Sequence, residues 1–174
     1  SEDVDAGVDG SVSIADGGHV IQVTSDLGNG FSVKAGLENL NGSDYEDAGT
    51  FIGVMEYAGD GMSAHVTFAS DGILAMDVQD WLVHAGFAGT FDNFKVVLAG
   101  AFDSNEYFNV LASASATFDM FTIAGSFEAN SNDQWGVGAS ASAAVTDMVT
   151  LNVGGRYLEE SGGNDIYEVA ASVV

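Results

Sequence analysis

The stretch Phe108-Asn109-Val110-Leu111-Ala112-Ser113-Ala114-Ser115-Ala116-Thr117-Phe118 decides the fold. Alternate positions read Phe, Val, Ala, Ala, Ala, Phe. The positions between them read Asn, Leu, Ser, Ser, Thr. Successive side chains of a strand point to opposite faces, so this segment is a strand with one apolar and one polar face. Asp119-Met120 follows, and the alternation restarts as Phe121-Thr122-Ile123-Ala124-Gly125-Ser126-Phe127-Glu128. Two such runs around a two-residue break predict an antiparallel hairpin.

The pattern recurs along the chain. It predicts about twelve strands, at 6–14, 19–27, 31–38, 50–58, 62–69, 81–91, 94–102, 108–118, 121–129, 135–145, 149–157 and 166–174. The first pair joins near Asp16-Gly17-Gly18, and segment 70–80 has room for a further short strand or helical turn. Connections alternate in length. The short ones are Gly28-Asn29-Gly30, Gly59-Asp60-Gly61, Asp92-Asn93, Asp119-Met120 and Thr146-Asp147-Met148. Asn-Gly and Asp-Gly supply the positive φ of tight hairpin turns. The longer connections, 39–49, 70–80, 103–107, 130–134 and 158–165, are acidic or polar. Short turns at one end and longer loops at the other match the asymmetry of outer-membrane barrels.

Composition narrows the class. The 174 residues suffice for one domain, read as a single β-barrel over 1–174. Cysteine is absent, so disulfides and thiol chemistry are excluded. Proline is absent too, as suits hydrogen-bonded strands. The net charge of −23 repels nucleic acid. Hydrophobic residues make up 47% and charged residues 17%, which argues against disorder. No apolar run is long enough for a transmembrane helix. Ser1-Glu2-Asp3 is no signal peptide and reads as a processed N-terminus or a cut fragment.

Aromatic residues supply a separate indication. Phe91 and Phe94 flank one short turn, and Phe118 and Phe121 another. Phe102, Phe108, Trp135 and Tyr157 stand toward opposite strand ends, with Trp81 and Phe127. All share the apolar parity. Phe108 to Phe118 is about 33 Å of strand, or about 25 Å of membrane at the usual tilt. These residues form the expected lipid-facing girdles. A soluble sandwich would place its core aromatics nearer mid-strand.

The other parity is then the lumen face. Its expected lining includes Lys34, Glu38, His65, His84, Lys95, Ser113, Ser115, Glu128 and Arg156. Small Ser and Gly residues leave room for water, and basic groups facing acids across a wet pore bias ion selectivity. Solvated charge on a wet face is the plainer reading of any single residue. Acids in the loops, Asp44, Glu46, Asp47, Glu159, Glu160 and Asp165, read as a solvated rim; no EF-hand spacing is present. Asn41-Gly42-Ser43 matches a glycosylation sequon. No cofactor, metal or catalytic set is predicted. The neutral-pH bases are limited to His19, His65 and His84, and Ser63 with His65 does not make a nucleophile–base–orienter arrangement.

Several hairpins resemble those of alphaproteobacterial general porins of the rhizobial type. They are Thr90-Phe91-Asp92-Asn93-Phe94-Lys95-Val96, Ala116–Gly125 around Asp119-Met120, and Val145–Gly155 around Asp147-Met148, with Tyr57–Ala64 in the same style. The resemblance spans about residues 50–174 and implies a barrel of about sixteen strands, of which this chain carries about twelve. It also implies a homotrimer in the outer membrane of a Gram-negative bacterium. Lipid and lipopolysaccharide would surround it, and small hydrophilic solutes and ions would pass by diffusion. The chain is about half the usual length, lacks a long inward-folding loop and ends in Ser172-Val173-Val174 rather than an aromatic residue. It is therefore part of a longer porin or a smaller barrel. Cation preference follows from net acidity. The alternatives are a structural or adhesive extracellular β protein, and a barrel hydrolase.

Overall fold

A computed structural model describes residues 21–38, 40, 49–74 and 80–174. Expectations for strand 6–14, the Asp16-Gly17-Gly18 turn, His19, the sequon, and the acids Asp44, Glu46 and Asp47 lie outside these residues. So does the question of further structure within 75–79.

The described chain is all-β. Its strands are β1 (Ile21–Gly28), β2 (Phe31–Glu38), β3 (Thr50–Gly59), β4 (Met62–Ser70), β5 (Trp81–Phe91) and β6 (Phe94–Asp103). They continue as β7 (Phe108–Phe118), β8 (Phe121–Asn130), β9 (Trp135–Thr146), β10 (Val149–Glu160) and β11 (Asn164–Val173). Spatial order follows chain order, the up-and-down antiparallel arrangement that the alternation predicts. Compact packing divides the described chain into two units. One comprises the described part of Ser11–Phe87 with Gly100–Phe108, and the other Ala88–Ala99 with Asn109–Val174.

The short turns work as their residues dictate. Asn29 and Gly30 have φ of 53° and 82°, and Asp60 and Gly61 have φ of 51° and 76°. Two successive left-handed residues match the twist of the flanking strands and close a two-residue hairpin. Pairing is in register right up to two of the turns, with Gly59 opposite Met62 and Phe118 opposite Phe121, whereas β1–β2 shifts register between Asp26 and Gly28 and β9–β10 between Val149 and Thr150.

In the unit ending at Val174, the apolar face is the exposed one. Along β8, Phe121, Ile123 and Phe127 are 55, 53 and 42% exposed, whereas Ser126, Glu128 and Asn130 are 8, 8 and 5% exposed. Water-soluble folds show the reverse. The same parity exposes Phe108, Val110 and Phe118 on β7 while Ser113 is buried.

The other unit shows the same sense on β4, where Val66 and Phe68 are exposed. Its opposite face departs from a uniformly wet surface. Ala69, Leu82 and Ala101 form a buried cluster with Ile52 packed against it, all near the longer-loop ends of their strands. In the same unit, the Ile73 amide donates to the Gly49 carbonyl at 3.1 Å. A Cβ at Gly49 would fall 2.5 Å from Leu74 Cγ, so only glycine admits that close approach.

Two strands run past their expected ends. β10 continues to Glu160 and β11 begins at Asn164, because Gly162 and Gly163 adopt φ of 107° and 82° and turn the chain at once. Glu159 and Asp165, expected in a loop, therefore face each other in register on the apolar parity at the strand ends.

Candidate functional site

The polar face carries the candidate chemistry. Ser32 and Lys34 lie on β2, and Ser32 stands opposite Glu56 of β3. Lys34 Nζ lies 2.7 Å from Glu56 Oε2 and 2.8 Å from Oε1, and Ser32 Oγ donates to Oε2 at 3.2 Å. Glu56 in turn stands directly opposite His65 of β4. His65 Nε2 meets His84 Nδ1 of β5 at 3.0 Å, with ring centroids 4.9 Å apart and planes tilted by 35°. Gly86 makes this possible, since a Cβ there would sit 2.4 Å from His65 Cε1. A polar row thus crosses four neighbouring strands. Its ion pair is half-exposed, so solvent screens it and its effect is on local field more than on stability.

The other unit holds a second ion pair. Arg156 Nε donates to Glu168 Oε2 at 2.6 Å, between residues directly opposite in register. Asn152 Nδ2 donates to Ser172 Oγ at 3.3 Å further along the same two strands. The hydroxyls of Thr117 and Thr122 are 3.0 Å apart across the β7–β8 hairpin. Ser113 stands opposite Ser126, and Ser115 opposite Ala124. Ser126 Oγ lies 2.7 Å from where a Cβ on Gly138 would be, so glycine accommodates the buried hydroxyl. Glu128 is buried on this face opposite Gly136, and Lys95 lies on the β6 parity opposite exposed Phe94 and Leu98.

The groupings of the residues expected on the polar parity were only partly foreseen. Lys34 pairs with Glu56, and Glu38 stands opposite Thr50 at the far end of β2. Reasoning from the sequence missed Glu56 as a site residue. The Asp60-Gly61 turn already held the signal, because a two-residue hairpin centred there sets Glu56 opposite His65.

Aromatic rings pair between strands near their ends. Close to short turns, Phe31 packs on Tyr57 with centroids 4.8 Å apart, and Phe94 meets Phe118 edge-on at 6.0 Å. Near the longer loops, Trp81 packs on Phe102 at 5.5 Å, and Tyr157 packs on both Trp135 and Tyr167, at 4.9 and 5.0 Å. Phe91, Phe102, Phe108 and Phe121 are exposed. Trp135 Nε1 donates to Glu159 Oε2 at 2.8 Å, and the Tyr157 hydroxyl sits 3.2 Å from Glu159 Oε2 and 3.0 Å from Asp165 Oδ1. Amphipathic rings with polar tips tied to carboxylates suit a boundary between an apolar and an aqueous phase.

Among the described residues, no group of three or more His, Cys, Asp or Glu side chains is arranged to hold a metal ion. No helix of the described chain is long and apolar enough to cross a membrane, which says nothing of crossing by strands.

No protein family matches the sequence, and no curated protein matches it. Solved structures do. A triple mutant of the Rh. blastica porin superposes with a TM-score of 0.57 at 16% identity, covering 87% of this chain and 53% of the porin. A porin refined at 1.8 Å resolution gives 0.58 at 14% identity, covering 87% and 60%. A second triple mutant of the Rhodopseudomonas blastica porin gives 0.56 at 15%, covering 87% and 53%. The likeness is one of fold. The chain spans little more than half the length of these porins, and it is similar to them in strand path, not in sequence.

Proposed function

We propose that this chain forms all or part of a porin-type β-barrel in a Gram-negative outer membrane. It provides a water-filled path for ions and small hydrophilic solutes and is a channel, not an enzyme. The observation that carries the proposal is the inverted burial of β7 and β8: exposed Phe, Val and Ile alternate with buried Ser, Glu and Asn. Exposed apolar surface of this extent marks contact with a nonaqueous or protein partner. Its alternation with polar residues, bordered by aromatic pairs, is the pattern of a barrel wall between lipid and lumen. On this reading lipid and lipopolysaccharide cover the apolar face, and the two ion pairs stand in the lumen wall. Single-sign side chains would steer ions, and the net charge of −23 favours cations. Assembly as a homotrimer rests on the family resemblance.

Planar-bilayer recording under a salt gradient tests the proposal. Discrete conductance steps with a reversal potential toward the cation side are expected. Folded protein that inserts but never conducts refutes the pore, and a reversal potential toward the anion side refutes the cation preference.

A further inference from the structure

We infer that His65 and His84 form a two-histidine binding site for a divalent transition ion of square-planar or octahedral preference, of the copper(II) and nickel(II) class. The site rests on the lumen reading only for its effect on conduction; the binding itself does not.

The geometry points to the ion. Two imidazole nitrogens face each other at 3.0 Å. With metal–nitrogen bonds of about 2.05 Å, that spacing subtends about 94° at a shared ion. Tetrahedral zinc sites prefer wider separations, whereas tetragonal copper and octahedral nickel place adjacent ligands near a right angle. The spacing thus matches adjacent positions of such an ion, and each ring turns from the hydrogen-bonded direction to aim its lone pair at the shared ion. In the metal-free pair one ring carries a proton between the nitrogens. That proton shifts to the ring's other nitrogen as the ion enters, leaving two neutral imidazole donors.

The surroundings favour occupation. Gly86 leaves the space in which the His65 ring lies, so the pair is held by a position where a side chain would collide. Glu56, directly opposite His65, places a carboxylate beside the site, although Lys34 already engages it. Leu82, two residues from His84 on the same face, belongs to the buried apolar cluster and lowers the local dielectric on one side. With two protein ligands, water fills the remaining positions. Such a site stays open to exchange.

The test uses the folded chain in detergent with copper(II) chloride as the probe and electron paramagnetic resonance as the readout. One copper per chain is expected, with an axial spectrum and superhyperfine splitting from two imidazole nitrogens. His65→Gln and His84→Gln keep a polar side chain of similar reach, and each should weaken binding at least tenfold. Gly86→Ala should do so by displacing the His65 ring while both histidines remain. Ser63→Ala, on the same face, should change nothing. Absence of stoichiometric copper, or binding that survives both histidine variants, overturns the site. Conductance is read separately in the same preparations. Copper bound without any change in conductance leaves the site standing and removes this face from the conduction path. A conducting channel that binds no copper refutes the site alone.

Discussion

Val153→Arg distinguishes a wall facing lipid from any other use of the apolar face. Val153 lies near the middle of β10 and is 52% exposed. Its directly opposite neighbours are Ala141 on β9 and Ala171 on β11, neither able to pair with a guanidinium. An arginine at the bilayer midplane on the lipid face costs about 2–4 kcal/mol. At 1.4 kcal/mol per decade that lowers the folding equilibrium by about 30- to 700-fold. The companion Asn152→Arg points to the opposite face, between Ser142 and Ser172, and should stay within about 0.5 kcal/mol of the parent. Both are compared by reversible denaturant titration in phospholipid vesicles, followed by tryptophan fluorescence. Equal, small losses at both positions would show that water bathes both faces and would refute the membrane assignment. A large loss at Val153 that persists in lipid-free buffer would show instead that the apolar face is buried against protein.

Lys95→Glu should raise the cation-to-anion permeability ratio. Two units of charge change act on an ion about 10 Å away with about 0.8 kcal/mol in water, which one Debye length of screening reduces to about 0.3, so the ratio should rise about two- to threefold. Reversal potentials check this, and an unchanged ratio places Lys95 away from the ion path. Gly30→Ala should destabilise more than Gly28→Ala. Both have left-handed φ, which costs an L-residue about 1–2 kcal/mol, but a Cβ at Gly30 also falls 2.3 Å from the Ala58 carbonyl oxygen whereas one at Gly28 meets nothing within 4 Å. The clash should add about 1–3 kcal/mol, and equal denaturant midpoints would contradict it. Trp81 and Trp135 stand at strand ends, so lipids brominated near the headgroup should quench them more than lipids brominated mid-chain. Strongest quenching from mid-chain labels would place the aromatic rows in the wrong layer.

The strands were legible because alternation and turn residues agree. β2, β5 and β7 have the ends that the sequence pattern gives, and each begins or ends where a two-residue turn or an aromatic residue stops the alternation. Side-chain partners were legible only across short turns. Where no bulge intervenes, a two-residue turn fixes the register of the hairpin, so Thr117 with Thr122, and Glu56 beside His65, follow from Asp119-Met120 and Asp60-Gly61. Longer connections leave register open, because one slipped residue moves every side chain to the other face and two slip it to another partner. The His65–His84 contact spans the connection at 71–80, and the Lys34–Glu56 pair spans 39–49. Neither could be derived from spacing. Arg156 with Glu168 follows only from a three-residue turn at Ser161-Gly162-Gly163, since a two-residue turn at the glycines alone would set Arg156 opposite Val169.

The apolar cluster on the otherwise polar face changes how the charges should act. Ile52, Ala69, Leu82 and Ala101 occupy the longer-loop ends of their strands, whereas Glu56, His65 and His84 lie further along β3, β4 and β5 toward the short turns, with Lys34 beside them on β2. In the proposed channel, an ion would be solvated poorly beside the cluster and better beside the polar row. Fields are stronger where low-dielectric surface adjoins charge. Glu56 belongs to the polar row, held by Lys34 and directly opposite His65, whereas Glu38 stands opposite Thr50 at the far end of β2. Substitution of Glu56 should consequently alter selectivity more than substitution of Glu38, although both are single carboxylates on one polar face.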